Sequence, residues 1–218
     1  TLTKNAVEKI IKDSKNNKQK SICFITGIPG AGKTLAGLDI ATQSMNYEKD
    51  EHACFLSGNG PLVKVLREAL IRNKSELENI SKKKTEPQVY AFIQNIHHFR
   101  DEYFEDTSAP IEKVVIFDEA QRAWNREQAS KFMNKKSKAK DFNYSEPEFL
   151  ISVMDRHQDW CVIICLIGEG QEINTGEAGL DEWFKTLKEK YPDWNVYCSK
   201  NANPPENSTP FTHPDSHF

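Results

Sequence analysis

Residues 27–34 read Gly27-Ile28-Pro29-Gly30-Ala31-Gly32-Lys33-Thr34, and this segment decides the fold. It fits the pattern G-x-x-x-x-G-K-[ST] without a mismatch and follows an apolar run at residues 22–25, which predicts a strand, a loop and the start of a helix. Glycines let successive backbone N–H groups converge on an anion, and the following helix adds the positive end of its dipole. The segment therefore predicts a loop that binds the phosphates of a nucleotide.

The side chains at the end of this loop point to ATP with Mg²⁺ as the ligand. Lys33 would reach the β- and γ-phosphates, and the Thr34 hydroxyl would take one position around the metal ion. The residues predicted to contact the nucleotide are Gly27, Pro29, Gly30, Ala31, Gly32, Lys33 and Thr34.

A second stretch, Val114-Val115-Ile116-Phe117-Asp118-Glu119, ends in two adjacent acids. Its apolar residues are continuous rather than alternating, which indicates a central strand covered on both faces. Asp118 would stand at the carboxyl end of this strand and hold Mg²⁺ directly or through water, and Glu119 would orient and deprotonate an attacking water. These acids favour triphosphate hydrolysis over the alternative, two surface acids that merely end a strand.

A third apolar run, residues 161–167, is followed at once by Gly168-Glu169-Gly170-Gln171. A polar amide at the tip of a strand, next to the loop and the acids, could sense the γ-phosphate or align the water. Gln171 is the candidate for this role, so the predicted catalytic set is Lys33, Glu119 and Gln171.

Apolar runs that alternate with helical patterns predict the fold class. Residues 53–56 and 195–198 read as further short strands, whereas residues 89–96 fit either a strand or the start of a helix. We expect an α/β fold, a three-layer αβα arrangement around a doubly wound, mainly parallel sheet, with the site at the carboxyl ends of the strands. Residues 1–200 form the predicted domain, and residues 201–218, which lack periodicity, are expected to be a linker or the start of a next segment.

Composition gives a slight acidic excess and no membrane signal. The net charge is −3, with 29 Lys and Arg against 32 Asp and Glu, so contact with nucleic acid would depend on local patches. No apolar run approaches the ~18 residues of a membrane span, and no signal peptide is recognised. The protein is expected to be cytoplasmic. Five cysteines lie in apolar runs without a C-x-x-C pattern and are expected to be buried thiols: Cys23, Cys54, Cys161, Cys165 and Cys198.

Three polar stretches carry weaker functional signals. Gly58 and Asn59 follow a strand, where open α/β sheets place ligand contacts, although a plain strand-to-helix turn explains them equally well. His97 and His98 are paired but lack a nearby third ligand, which disfavours a metal site. The polar insertion at residues 122–144 is the most basic patch, and its lysines fit a solvated face as well as nucleic-acid contact.

Five motifs, taken in order, resemble those of one family. They are the loop at residues 27–34, Phe-Leu-Ser-Gly-Asn-Gly-Pro-Leu at residues 55–62, Asn-Ile-His-His-Phe at residues 95–99, Phe-Asp-Glu-Ala-Gln-Arg-Ala-Trp at residues 117–124 and Leu-Ile-Gly-Glu-Gly-Gln-Glu-Ile-Asn at residues 166–174. The set resembles the Schlafen-type, group 3-like DNA/RNA helicase domains, a branch of the superfamily 1 helicase-like P-loop ATPases. The likeness covers nearly the whole chain.

This resemblance implies the first of two RecA-like cores, which binds ATP with Mg²⁺ and hydrolyses it to ADP and phosphate in response to nucleic acid. It places Gly58, Asn59 and His98 where that core meets single-stranded DNA or RNA. The family continues into a second core that carries arginine fingers and that the sequence does not reach. We therefore expect the chain by itself to hydrolyse ATP weakly and not to translocate. No glutamine-containing adenine motif precedes the loop, so the base stays open.

Two other functions remain open on the sequence. A nucleotide-operated switch or scaffold would bind ATP with little turnover and no nucleic acid, and the acidic net charge fits that function. A P-loop kinase is disfavoured because Glu119 has a water-activating role and no acceptor site is visible.

Overall fold

The computed structural model of the chain describes residues 2–28, 30–44, 52–135, 141–168, 175–199 and 209–210. The strands are β1 (Lys20–Gly27), β2 (His52–Ser57), β3 (Ile93–Asn95), β4 (Glu112–Asp118), β5 (Cys161–Gly168), β6 (Asn195–Cys198) and β7 (Thr209–Pro210). The helices are α1 (Leu2–Asn17), α2 (Lys33–Gln43), α3 (Gly60–Glu78), α4 (Lys82–Phe92), α5 (Ile96–Glu105), α6 (Arg126–Met133), α7 (Glu146–Met154) and α8 (Gly179–Lys190), with a 3-10 turn at Ala120–Arg122.

The strands form one parallel sheet in the order β3-β2-β4-β5-β1-β6-β7. β5 lies between β1 and β4, with Gly27 opposite Gly168 and Phe117 opposite Cys165. Parallel neighbours end at the same edge of a sheet, so the segments that follow β1, β4 and β5 share one carboxyl edge. The predicted parallel α/β sheet is confirmed.

Two apolar clusters, one on each face of the sheet, form the core. The first includes Val7 from α1, Ile40 from α2, Val63 from α3 and Phe92 from α4. The second includes Phe99 from α5, Met133 from α6, Ile151 from α7 and Trp183 from α8. Helices α1 to α4 thus cover one face and α5 to α8 the other, which is the predicted three-layer arrangement.

Helix α2 approaches the sheet closely at Gly37. A Cβ atom at this position would lie 2.6 Å from Leu166 Cδ1, 3.1 Å from Ile116 Cγ2 and 3.2 Å from Phe55 Cε2. Carbon atoms do not pack at 2.6 Å, so the missing side chain lets α2 lie directly on the strands. This contact fixes the distance between the sheet and the helix that begins at Lys33.

Residues 89–96 were expected to be a strand or the start of a helix, and the structure divides them: residues 89–92 end α4, residues 93–95 form β3, and Ile96 begins α5. All five cysteines are buried free thiols, as expected. None of the described helices is both long and apolar enough to span a bilayer.

Candidate functional site

Two glycines shape the loop between β1 and α2. Gly30 has φ 82° and Gly32 has φ 78°, a left-handed conformation that glycine adopts with little strain. Neither position has an atom within 4 Å of where a Cβ would lie, so open space lies beside both glycines. Gly32 also precedes α2 without a capping side chain, which leaves the first N–H groups of the helix without a side-chain acceptor.

Lys33 lies over its own loop. Its Nζ donates to the carbonyl oxygens of Gly27, at 2.7 Å, and Ile28, at 3.0 Å. The ammonium group is therefore held at the mouth of the loop, where the backbone N–H groups of α2 begin.

Thr34 and Asp118 meet at the carboxyl edge of the sheet. They do so although β1, which precedes Thr34, and β4, which contains Asp118, are not neighbouring strands. The Thr34 hydroxyl lies 3.3 Å from each carboxylate oxygen of Asp118 and donates to them. Thr34 belongs to the first turn of α2, and Asp118 is the last residue of β4. The loop and the acid predicted from separate motifs therefore form one site.

The Asp118 carboxyl is buried at 2% exposure, and its pKa is raised from 3.8 to about 6. Burial is the largest cause, and the negative charge of Glu119 adds to it. The Thr34 hydrogen bond and the Lys33 charge pull the pKa of Asp118 the other way but do not compensate. A further positive charge nearby would therefore stabilise the ionised form of Asp118.

Glu119 has a left-handed backbone, with φ 54° and ψ 47°, which is uncommon for a residue with a side chain. This conformation turns the chain sharply after β4, and the Glu119 side chain is 31% exposed. The Gln121 amide donates to Glu119 Oε2 at 2.5 Å, and Arg122 Nε lies 3.9 Å from the same oxygen. The carboxylate is thus oriented yet open to solvent.

Gln121 and Trp183 support this acid, and sequence reasoning gave neither a role. Gln121 is buried, and its Oε1 accepts a hydrogen bond from the Gly168 N–H at 3.3 Å, so it joins the acidic turn to the tip of β5. Trp183 of α8 donates its indole N–H to the Ala120 carbonyl at 3.0 Å. Gln121 stands two residues after Glu119 in the quoted motif, but its partner is visible only in three dimensions.

The other predicted residues lie at the same edge or outside the described ranges. Gly58 and Asn59 follow β2 and are exposed, and the Asn59 side chain caps α3 by accepting from the Leu62 N–H at 3.1 Å. His98 is exposed in the first turn of α5. Pro29 and Gln171 lie outside the described residues. Over the described part of the chain, no three His, Cys, Asp or Glu side chains are grouped to hold a metal ion.

An open glycine loop after one parallel strand, with a hydroxyl and a buried acid facing it in an α/β core of three layers, is typical of nucleotide-binding proteins. The sequence matches the family model described as "Schlafen group 3, DNA/RNA helicase domain" over residues 20–203, and the chain belongs to that family.

Among solved structures, the chain is similar to the helicase domain of Hef from Pyrococcus furiosus, with 16% identity and a TM-score of 0.47. That similarity covers 87% of this chain and 37% of the Hef chain, so this chain spans little more than a third of the Hef structure. No curated protein matches the sequence.

Proposed function

We propose that this chain is the ATP-binding half of a superfamily 1 helicase-like, nucleic-acid-dependent ATPase, which hydrolyses ATP to ADP and phosphate with Mg²⁺. One observation carries the proposal: the Thr34 hydroxyl lies 3.3 Å from both oxygens of buried Asp118, next to Lys33 and the open loop. A cradle of N–H groups, a cation, a hydroxyl and a carboxylate are what a triphosphate with Mg²⁺ requires.

The loop would hold the β- and γ-phosphates. Backbone N–H groups after Gly30 would donate to phosphate oxygens, and Lys33 would exchange its two carbonyl acceptors for phosphate oxygens. Phosphate oxygens carry the charge opposite to that of the Lys33 ammonium, whereas the carbonyl oxygens are neutral, so this exchange is favourable.

The oxygen atoms of Thr34 and Asp118 fit Mg²⁺, which prefers oxygen ligands. Burial disfavours the ionised form of Asp118, as its raised pKa shows, and a nearby divalent cation would favour that form. When bound, Mg²⁺ would neutralise the charge that develops on the phosphates.

Glu119 would act as the general base. As the oxygen of a water molecule bonds to the γ-phosphorus, the bond from that phosphorus to the bridging oxygen breaks, and the proton of the water passes to the Glu119 carboxylate. Gln121 holds this carboxylate in place from the side of β5. Gln171, a few residues after β5, is the proposed sensor of the γ-phosphate.

Dependence on nucleic acid rests on the family to which the chain belongs. Gly58, Asn59 and His98 are the proposed contacts with single-stranded DNA or RNA. We propose that residues 1–200 form the first core and that residues 201–218 lead to a second core with an arginine finger. Such a finger is worth about 10³–10⁵ in rate, so this chain alone should turn over slowly.

Calorimetry with ATP and Mg²⁺ tests the phosphate site. Lys33→Ala should weaken binding about 10- to 150-fold, since a hydrogen bond to a charged group contributes about 1.5–3 kcal/mol. Lys64→Ala, which removes an exposed lysine of α3, is the matched control and should leave the affinity unchanged. Equal affinities of the Lys33 variant and the wild type would refute the site.

The rate of ATP hydrolysis distinguishes a nucleic-acid-dependent ATPase from a nucleotide-operated switch. The full-length protein should hydrolyse ATP faster when oligothymidylate or oligouridylate is added, and the 218-residue chain should remain slow. Tight ATP binding with no response to either oligonucleotide would favour the switch. Fast ATP hydrolysis by this chain alone would refute the proposal that a second core is needed for turnover.

A further inference from the structure

Three aromatic side chains, which we call the aromatic cluster, meet at the carboxyl edge of the sheet. His97 lies two residues after β3, Trp124 six residues after β4, and Phe132 on α6. The His97 ring lies 4.4 Å from the Trp124 ring and stacks on the Phe132 ring at 5.6 Å, measured between centroids. Trp124 and Phe132 meet edge to face at 5.2 Å.

The aromatic cluster faces solvent on one side. Phe132 is 37% exposed, and the His97 side chain is 26% exposed. Phe132 belongs to the lysine-rich insertion, for which the sequence predicted at most a charged contact.

A buried ion pair supports the aromatic cluster from below. The Glu146 carboxylate accepts hydrogen bonds from Arg100 Nη1 at 2.9 Å and from the Trp124 backbone N–H at 2.8 Å. His97 Nδ1 lies 3.3 Å from the same carboxylate. The Arg100 guanidinium also lies 5.1 Å from the centre of the Phe132 ring and 5.5 Å from that of Trp124. One buried carboxylate and one buried guanidinium therefore hold the rings in position before any ligand arrives.

Two exposed lysines lie near the exposed ring of this cluster in the sequence. Lys131 directly precedes Phe132 and Lys135 follows it by three residues, and the exposed His98 is next to His97. The whole chain has a net charge of −3, so this is a local patch rather than a general basic surface. An exposed aromatic ring with lysines close to it in the chain matches a nucleotide, whose base is flat and apolar and whose phosphate is an anion.

We propose that the aromatic cluster is a base-stacking surface for single-stranded nucleic acid. This inference rests on the proposed function and adds to it which part of the nucleic acid the chain contacts. A base would stack on the Phe132 ring, and its phosphates would lie toward the flanking lysines. Stacking uses the face that every base has, so the surface accepts DNA and RNA of any sequence. If the rings only shield the Arg100–Glu146 pair from water, their loss would lower stability and leave binding intact.

The test compares two oligonucleotides of roughly 20 nucleotides by fluorescence anisotropy at one salt concentration. One is oligothymidylate, and the other has the same backbone with abasic sites throughout. The wild-type chain should prefer oligothymidylate. Phe132→Ala should weaken oligothymidylate binding about 5- to 150-fold and leave abasic binding unchanged, so the preference disappears. The matched control is Tyr90→Ala, which removes an aromatic ring that is 52% exposed on α4 and should change neither affinity.

Phe132→Leu keeps an apolar side chain without a ring, and Phe132→Tyr keeps the ring. The Leu variant should lose the preference for bases, and the Tyr variant should retain it, so the answer does not depend on whether the Ala variant folds. Equal wild-type affinity for both oligonucleotides, or full preference in the Leu variant, would overturn stacking while nucleic-acid binding stands. Failure of the wild-type chain to bind either oligonucleotide would refute the proposed contact with nucleic acid and this inference together.

Discussion

Asp118→Asn should stabilise the metal-free protein while it removes a proposed ligand of Mg²⁺. The pKa of this buried carboxyl is raised from 3.8 to about 6, first by burial and then by the charge of Glu119. The native state therefore binds the proton more tightly than the unfolded state, and stability falls as the pH rises between these two values. At about 1.36 kcal/mol per pH unit, the ionised carboxylate costs about 3 kcal/mol above pH 6.

Urea unfolding in the presence of a chelator, from about pH 4 to pH 8, measures this cost. The two proteins should be about equally stable near pH 4, and the advantage of the Asn variant should grow to about 3 kcal/mol at pH 8. The Thr34 hydroxyl can still donate to the amide oxygen, so the substitution leaves its hydrogen bond in place. An Asn variant that is less stable than wild type at pH 8, or an advantage independent of pH, would refute the argument.

Asp159→Asn is a control in which the pH dependence of stability should have the opposite sign. Burial alone would raise the pKa of Asp159, but its hydrogen bond and ion pair with Lys113 outweigh burial, and the pKa is lowered. Its ionised form therefore stabilises the fold above the ordinary aspartate pKa, and that stability is lost as the pH falls through the lowered pKa. The variant should be less stable at neutral pH, and the loss should disappear in acid.

Two further substitutions test the base and the packing of α2. Glu119→Gln in the full-length protein should keep ATP affinity by calorimetry and lower turnover about 10²- to 10⁴-fold, because an amide cannot accept the proton of the water; a loss below tenfold would show that Glu119 is not the base. Gly37→Ala should cost up to about 2 kcal/mol in urea unfolding, since overpacking against Leu166 costs about 1–3 kcal/mol and better helix propensity returns about 1 kcal/mol. Gly60→Ala, where the nearest atom is 4.0 Å away, should be neutral or slightly stabilising, and equal effects at the two glycines would contradict the packing argument.

The glycine loop and the acid that faces it were predictable because each of them is a local pattern. The glycine loop requires particular residue types at fixed spacing, and its left-handed positions at Gly30 and Gly32 follow from that requirement. The strand before Asp118 is a continuous apolar run, which is typical of a parallel strand buried on both faces. Since such strands end at one edge, the sequence predicts Asp118 and Thr34 at the same edge of the sheet.

The support of the site could not be predicted, because it depends on contacts between distant segments. Gln121 has a partner only because Gly168 lies at the tip of the neighbouring β5, and no local pattern states the order of strands. Trp183 looks like an ordinary core residue of an amphipathic helix until its indole N–H reaches the acidic turn. His97, Trp124 and Phe132 come from three segments, and their meeting follows from how α5 and α6 pack.

The position of β5 also sets the distance between β1 and β4. Neighbouring strands are about 4.8 Å apart, so one strand between β1 and β4 keeps the backbone ends of these two strands about 10 Å apart, and the first turn of α2 brings Thr34 across that gap to Asp118. Backbone hydrogen bonds fix this spacing, and they are the same for every side chain. Substitutions in β5 can therefore change how the core packs, but the spacing between the strand that leads into the loop and the strand that ends at Asp118 changes only if a strand is gained or lost.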